Sequence, residues 1–238
     1  MVRFIALPFL AFFATAAQSG ELVFESKPTK THLIELFTSE GCSSCLPAEA
    51  WLSGLKNEPR LWQEIVPIAF HVDYWDHLGW RDPFASKTWT DRQTDYSAHW
   101  KGESVYTPCF VLDGVAWRRT TLPPSSSENV GILKIVVQAD QVSVTFSPVD
   151  SSKQRYEIHV ARLGVGLGAD VTAGENKGRK LEHDFVVLGL SNESMKSGRK
   201  EMKLPAKPTR PGSREAIAAW VTLAGQLPSI QAVGGWLE

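Results

Sequence analysis

The sequence predicts an α/β protein, and three observations carry that expectation. An apolar run, Leu33–Phe37, leads through a polar turn into a cysteine pair that opens a helical pattern. A second apolar run, Glu64–Val72, follows at a distance that suits a strand–helix–strand unit with a parallel crossover. Beyond Asn129 the pattern turns to short alternating or continuous apolar segments, so the second half reads as mainly β.

In chain order, Arg3 supplies a positive n-region, residues 4–13 are almost wholly apolar, and Ala14-Thr15-Ala16 has the small-x-small form of a cleavage site. Together they predict a signal peptide over 1–16, with cleavage after Ala16 or, as a second position, Ser19. The apolar run is shorter than the ~20 residues of a membrane span. The expected mature protein is therefore periplasmic or secreted, with no membrane partner after signal cleavage; an uncleaved anchor or a buried helix is the competing reading. Glu21–Phe24 fits a short first strand, with Lys27–Lys30 as its turn. The near-continuous apolar character of Leu33–Phe37 suits a parallel strand covered on both faces.

Ala48, Trp51, Leu52 and Leu55 then form the i, i+3, i+4, i+7 stripe of an amphipathic helix. Pro47 is tolerated only in a first helical turn, which sets the helix start at or just before Cys45 and keeps Cys42 at its N-terminal end. Glu64–Val72 is the next strand, ended by Asp73-Tyr74-Trp75-Asp76. Asp82–Trp100 reads as helical, with Asp82-Pro83 as cap and first residue. Val105–Leu112 is an apolar run interrupted by Pro108, and Asp113-Gly114 turns it back into Val115–Trp117 as a hairpin. A proline inside such a run marks an edge, a first strand residue or a cis peptide.

Residues 123–129 form a Pro/Ser-rich break, read as a linker between a domain over 20–122 and a β-rich one over 130–238. In the latter, Ile132–Val137, Val142–Phe146, Tyr156–Ala161, His183–Leu190, Ala216–Leu223 and Ile230–Leu237 are the expected strands. They suit a small sandwich or an extension of the first sheet. Gly164–Gly168 does not fit a nucleotide-binding G-x-G-x-x-G and reads as a flexible turn.

A formal net charge of −1 gives no reason to expect nucleic acid or an anionic membrane as partner. Three cysteines are too few for a disulfide scaffold, and the odd count leaves one over. Cys42 and Cys45, two residues apart at a strand-to-helix junction, read as a thiol–disulfide redox site. Cys42 is the better-placed nucleophile, because the unpaired N–H groups of a helix N-terminus stabilise a thiolate; Cys45 is the resolving thiol. Ser43 and Ser44 have hydroxyls to donate to the Cys42 sulfur, whereas the carboxylate of Glu40 disfavours a second negative charge. The competing reading is an inert structural disulfide, although so short a loop adds little chain-entropy stabilisation.

Cys109 fits a second resolving thiol, a metal ligand or a buried small hydrophobe. A Cys₃His set of Cys42, Cys45 and Cys109 with His71 or His77 suits zinc or copper(I), but a single C-x-x-C and irregular histidine spacing do not support it. No metal or other cofactor is therefore expected. His71, Asp73, Asp76 and His77 stand at a strand's C-terminal end, where open α/β sheets place ligands. They either line a pocket beside the cysteines or form a loop capped by its own aspartates. His183 reads as a hydrogen-bonded surface or core residue.

Assembled in this order, the chain resembles a thioredoxin fold, in which a C-x-x-C opens the helix after a central strand and a later cis-proline lies beside it. Cys42-Ser43-Ser44-Cys45 and Thr107-Pro108 match those two elements. More closely, it is similar to the domain-of-unknown-function 1223 family of secreted bacterial proteins. Glu35–Cys45, His71–Asp82, Tyr106–Pro108 and Gly174–His183 carry that similarity. The resemblance implies a thioredoxin-like α/β fold with a β-rich extension, and a redox-like site whose groove Thr107 and Pro108 shape for an extended substrate. The expected activity is thiol–disulfide exchange with a protein or a small thiol or disulfide. The alternatives are a non-catalytic binding module with a structural disulfide, or a Cys/His metal-binding protein. The Ser43-Ser44 dipeptide matches neither the Gly-Pro of reductants nor the Pro-His of a strong oxidant, so redox direction is not carried over.

Overall fold

Apolar runs become buried strands because a backbone that loses water must pair its own polar groups. The computed structural model describes residues 20–118, 121–150, 154–196, 198–206 and 214–237, and the expected signal peptide, with its cleavage window, lies outside them. Strand β1 (Leu22–Glu25) is followed by β2 (His32–Thr38), which is buried along nearly its whole length. A 3₁₀ turn over Ser43–Cys45 runs into helix α1 (Leu46–Gly54), and β3 (Ile65–His71) is buried at every position. β2 and β3 pair in parallel from His32↔Ile65 to Thr38↔His71. Helix α2 (Lys87–His99) starts at a Ser86 cap whose hydroxyl accepts the Thr88 N–H, four residues later than the Asp82-Pro83 start expected. Asp82 is instead buried in a polar cluster described below.

The hairpin of β4 (Cys109–Leu112) and β5 (Val115–Trp117) joins the antiparallel side of β2. Then come β6 (Gly131–Gln138), β7 (Gln141–Pro148), β8 (Tyr156–Val165), β9 (Leu167–Asp170) and β10 (Lys180–His183). The last four are β11 (Val186–Met195), β12 (Gly198–Lys203), β13 (Arg214–Leu223) and β14 (Ser229–Trp236).

These strands form an eight-stranded sheet in the order β14-β13-β8-β11-β3-β2-β4-β5, a four-stranded sheet β1-β6-β7-β12 and a two-stranded ribbon β10-β9. The thioredoxin-like α/β class expected from the sequence is thereby corrected. The described residues are 47% strand and only 15% helical, in several sheets, so the protein is mostly β. The strand–helix–strand unit does not set the architecture: β11 pairs with β3, and through it β8, β13 and β14 extend the same sheet. Both large sheets draw strands from either side of residues 123–129.

Two apolar cores sit on opposite faces of the C-terminal end of the large sheet, as the period-two alternation of a strand requires. Ala216, Ala218 and Trp220 face one core, with Phe37, Phe70, Leu52 and Trp89. Ile217, Ala219 and Val221 face the other, with Leu133, Val144 and Phe146 of the four-stranded sheet. Where β14 passes beneath β1, Gly235 leaves no room for a side chain, since an added Cβ would collide with the Phe24 ring. Gln231 of β14 is fully buried. Its carbonyl accepts the Thr31 N–H at 2.8 Å, and its amide donates to the carbonyls of Lys27, Thr29 and Gly131.

Candidate functional site

β2 ends at Thr38, and the turn that follows carries Cys42 to the start of the 3₁₀ turn that opens α1. Cys42 and Cys45 are joined as a disulfide with a Cα–Cα distance of 5.4 Å. Both cysteines are buried, while Ser43 and Ser44 between them are exposed. The Ser44 hydroxyl lies 3.3 Å from the Cys42 sulfur. Gly41 is needed where it stands, because a Cβ there would come within 2.9 Å of the Trp75 Cβ. The Trp75 indole N–H donates to the Thr107 hydroxyl at 2.7 Å and so ties this turn to the segment before β4.

The Thr107–Pro108 peptide is cis. Pro108 and Ser44 face each other across a groove of about 380 Å³, with Pro47, Trp51, Phe110 and Trp117 among its walls. Trp51, Phe110 and Trp117 meet edge to face at 5.2–5.8 Å. Cys109 points away into the core as a free, buried thiol. Burial raises its pKa, against hydrogen bonds from Tyr106 and Gln93, so it is held neutral and behaves as a small apolar side chain.

The stretch Gly174–His183, whose physical role the sequence did not reveal, folds against the cysteine turn. The Ser43 N–H donates to the Glu175 carboxylate at 2.9 Å, and the Asn176 amide donates to the Glu40 carbonyl at 2.8 Å. A carboxylate thus occupies one of the N–H groups with which the start of α1 could stabilise an anion.

Beneath the turn is a buried charged cluster. His183 Nε2 is 3.0 Å from one Glu40 oxygen, and its Nδ1 is 2.7 Å from Glu49. Burial disfavours the imidazolium, yet the hydrogen bonds and charges of Glu40 and Glu49 outweigh it and raise the pKa to about 10. Glu49 is held below its ordinary range, since His183, His71 and Thr38 overcome its burial. The other Glu40 oxygen accepts the Trp80 indole N–H at 2.7 Å. His71 Nδ1 is 2.7 Å from Asp82, which also accepts the Glu40 and Phe84 N–H groups. Asp82 too is lowered, its burial outweighed first by His71. The two imidazoles lie edge to face at 5.0 Å.

Of the pocket candidates, only Glu40 and His71 enter this cluster. Asp73 accepts the Thr90 hydroxyl and Asp76 accepts the Asp82 N–H, so both brace their own loop. His77 is exposed and donates from Nδ1 to the Tyr74 carbonyl. The Cys₃His metal set is not assembled, because Cys42 and Cys45 are spent on each other. Sequence reasoning passed over Glu49 and Trp80 and read Asp82 as a helix cap, whereas His183, read as a hydrogen-bonded surface or core residue, is buried with both ring nitrogens hydrogen-bonded. For Glu49 a signal existed: it lies three residues before Leu52, on the inward face of α1.

The family described as protein of unknown function (DUF1223) matches residues 33–222. No curated protein matches the chain. An X-ray crystal structure of a protein from Agrobacterium tumefaciens is 23% identical and superposes with a TM-score of 0.63, over 87% of this chain and 94% of that one. HBP35 of Porphyromonas gingivalis is 14% identical with a TM-score of 0.53, over 87% of this chain and 75% of its own. At these identities the likeness is one of fold.

Proposed function

The chain belongs to the DUF1223 family of proteins of unknown function, and from that premise we propose that it carries out thiol–disulfide exchange through Cys42 and Cys45. The observation that supports this most is the disulfide itself, set at the start of α1 beside the groove of Ser44, Trp51 and Pro108. A substrate thiolate attacks the Cys42 sulfur, the Cys42–Cys45 bond breaks, and Cys45 leaves as a thiolate that takes up a proton. A second substrate thiolate then attacks the substrate sulfur of the mixed disulfide and releases Cys42. The substrate dithiol is oxidised to a disulfide and the Cys42/Cys45 pair is reduced; the reverse sequence reduces a substrate disulfide. The Ser44 hydroxyl is placed to donate to the Cys42 thiolate, and Pro108 lines the approach. Exchange requires the buried Cys42–Cys45 bond to be uncovered. The setting that suits this chemistry is an oxidising compartment, periplasmic or extracellular.

Cys45→Ser is expected to accumulate mixed disulfides with cellular thiols that Cys42→Ser abolishes. Absence of any such adduct overturns the proposal. The second reading, a binding module with a structural disulfide, is favoured by the burial of both cysteines and by Glu175 on the Ser43 N–H. A reduction potential below about −300 mV selects that reading.

A further inference from the structure

We propose that Glu49, His71 and His183 form a binding site for a divalent metal ion of the zinc class, separate from the cysteine pair. One potential ligand atom from each lies within 4.8 Å of the others, and all three residues are buried. They arrive from three elements: α1, the end of β3 and the end of β10.

His71 carries the argument. Its Nε2 is buried without a hydrogen-bond partner, an expensive arrangement unless something else binds there. Its Nδ1 faces Asp82, and an ionised carboxylate only accepts, so Nδ1 is the donor and, in the neutral ring, Nε2 is the nitrogen left with a lone pair. That is the tautomer a metal requires.

Each donor also has an outer partner that fixes its orientation. Asp82 holds the far nitrogen of His71, Glu40 holds Nε2 of His183, and the Thr38 hydroxyl donates to the second oxygen of Glu49. Metal-bound imidazoles are oriented by carboxylates in this way.

The cavity bounded by Glu49, His71, His183 and Leu52 leaves no room for a water-sized body. An ion is not excluded by this, because metal–nitrogen and metal–oxygen distances of about 2.0–2.2 Å are shorter than any hydrogen bond. On binding, the ion displaces the proton between His183 Nδ1 and Glu49 and releases it to solvent; no electron is transferred. Two imidazoles and one carboxylate suit Zn²⁺ and its late first-row neighbours, and not Mg²⁺ or Ca²⁺, which take oxygen shells.

The test is a titration of the oxidised full chain with Co²⁺ as a spectroscopic probe, followed by competition with Zn²⁺. The expected result is one equivalent of cobalt with visible d–d bands, no thiolate-to-cobalt charge transfer, and full displacement by zinc. Asp82→Asn leaves the three donors in place and is expected to weaken binding about 10- to 100-fold. His71→Asn should weaken it at least as much. Cobalt well below one equivalent, or a thiolate charge-transfer band, overturns the site. So do folded His71→Asn and Asp82→Asn variants that bind like the unaltered chain. If either variant fails to fold, the unaltered chain decides: no rise in thermal midpoint with a hundredfold excess of Zn²⁺ also overturns it. Since Cys42→Ser leaves all three donors intact, failure of the exchange reaction and failure of the metal site are separate results.

Discussion

At the scale of single residues, Gly41 and His159 lead to expectations that need no knowledge of substrate. Gly41→Ala pushes a Cβ against the Trp75 Cβ, whose position is fixed by its own backbone. The expected cost is about 1–3 kcal/mol, read as a lower urea midpoint at an unchanged slope. His159 lies flat on Trp220 at 4.9 Å, with Asn192 and Thr222 on its nitrogens. Burial first, and the Arg92 charge second, lower its pKa to about 3, against the Asn192 hydrogen bond. A histidine depressed in the folded state contributes stability that is complete above its unfolded pKa, near 6.5, and is lost as pH falls toward 3. The loss is about 1.4 kcal/mol per pH unit across that window. The stability gap between the unaltered chain and His159→Gln should therefore close between pH 7 and pH 4.5. A gap independent of pH would refute the assignment. Cys42, Cys45 and Pro108 were legible in the sequence because spacing along the chain defines them. The pairing of His183 with Glu49 and Glu40 was not, since those hydrogen bonds join residues 134 and 143 positions apart.

At the scale of elements, α2 is fastened to β2 by a buried ion pair. Arg92 donates to Glu35 at 2.8 Å and to the Tyr96 hydroxyl at 3.1 Å, with its guanidinium over the rings of Phe70 and Trp220. Arg92→Met leaves the fully buried Glu35 carboxylate without its cation and should cost about 3–5 kcal/mol. The double change Arg92→Met with Glu35→Leu should recover most of that loss, because no uncompensated charge remains. Thermal or urea denaturation of the three proteins checks both statements. The apolar strands were visible in the sequence because burial on both faces writes a continuous hydrophobic run. β12 was not: of Gly198–Lys203 only Met202 is buried, and a strand so polar carries no periodic signal. β10 ends at His183 and β11 begins at Val186, so the apolar run His183–Leu190 is split at Phe185, which has a positive φ of 59°.

At the scale of the whole molecule, β13 serves both cores with alternate side chains, so neither core keeps its wall if the other melts. Unfolding should be one cooperative transition, coincident by tryptophan fluorescence and far-ultraviolet circular dichroism. Two separated transitions would show that the halves are independent. The strand–helix–strand unit was readable from local pattern. The sheet it belongs to was not, because pairing of β11 with β3 is a choice among strands that all look alike to a reader of sequence. The buried amide of Gln231 adds a matter of timing. Thr31 is among the first described residues to be synthesised, yet the acceptor of its N–H is 200 positions downstream. A chain leaving the ribosome cannot give the Thr31 N–H its native acceptor until β14 has emerged. A product stopped before Ser229 therefore leaves β13 without its β14 partner, an open sheet edge that is a template for aggregation.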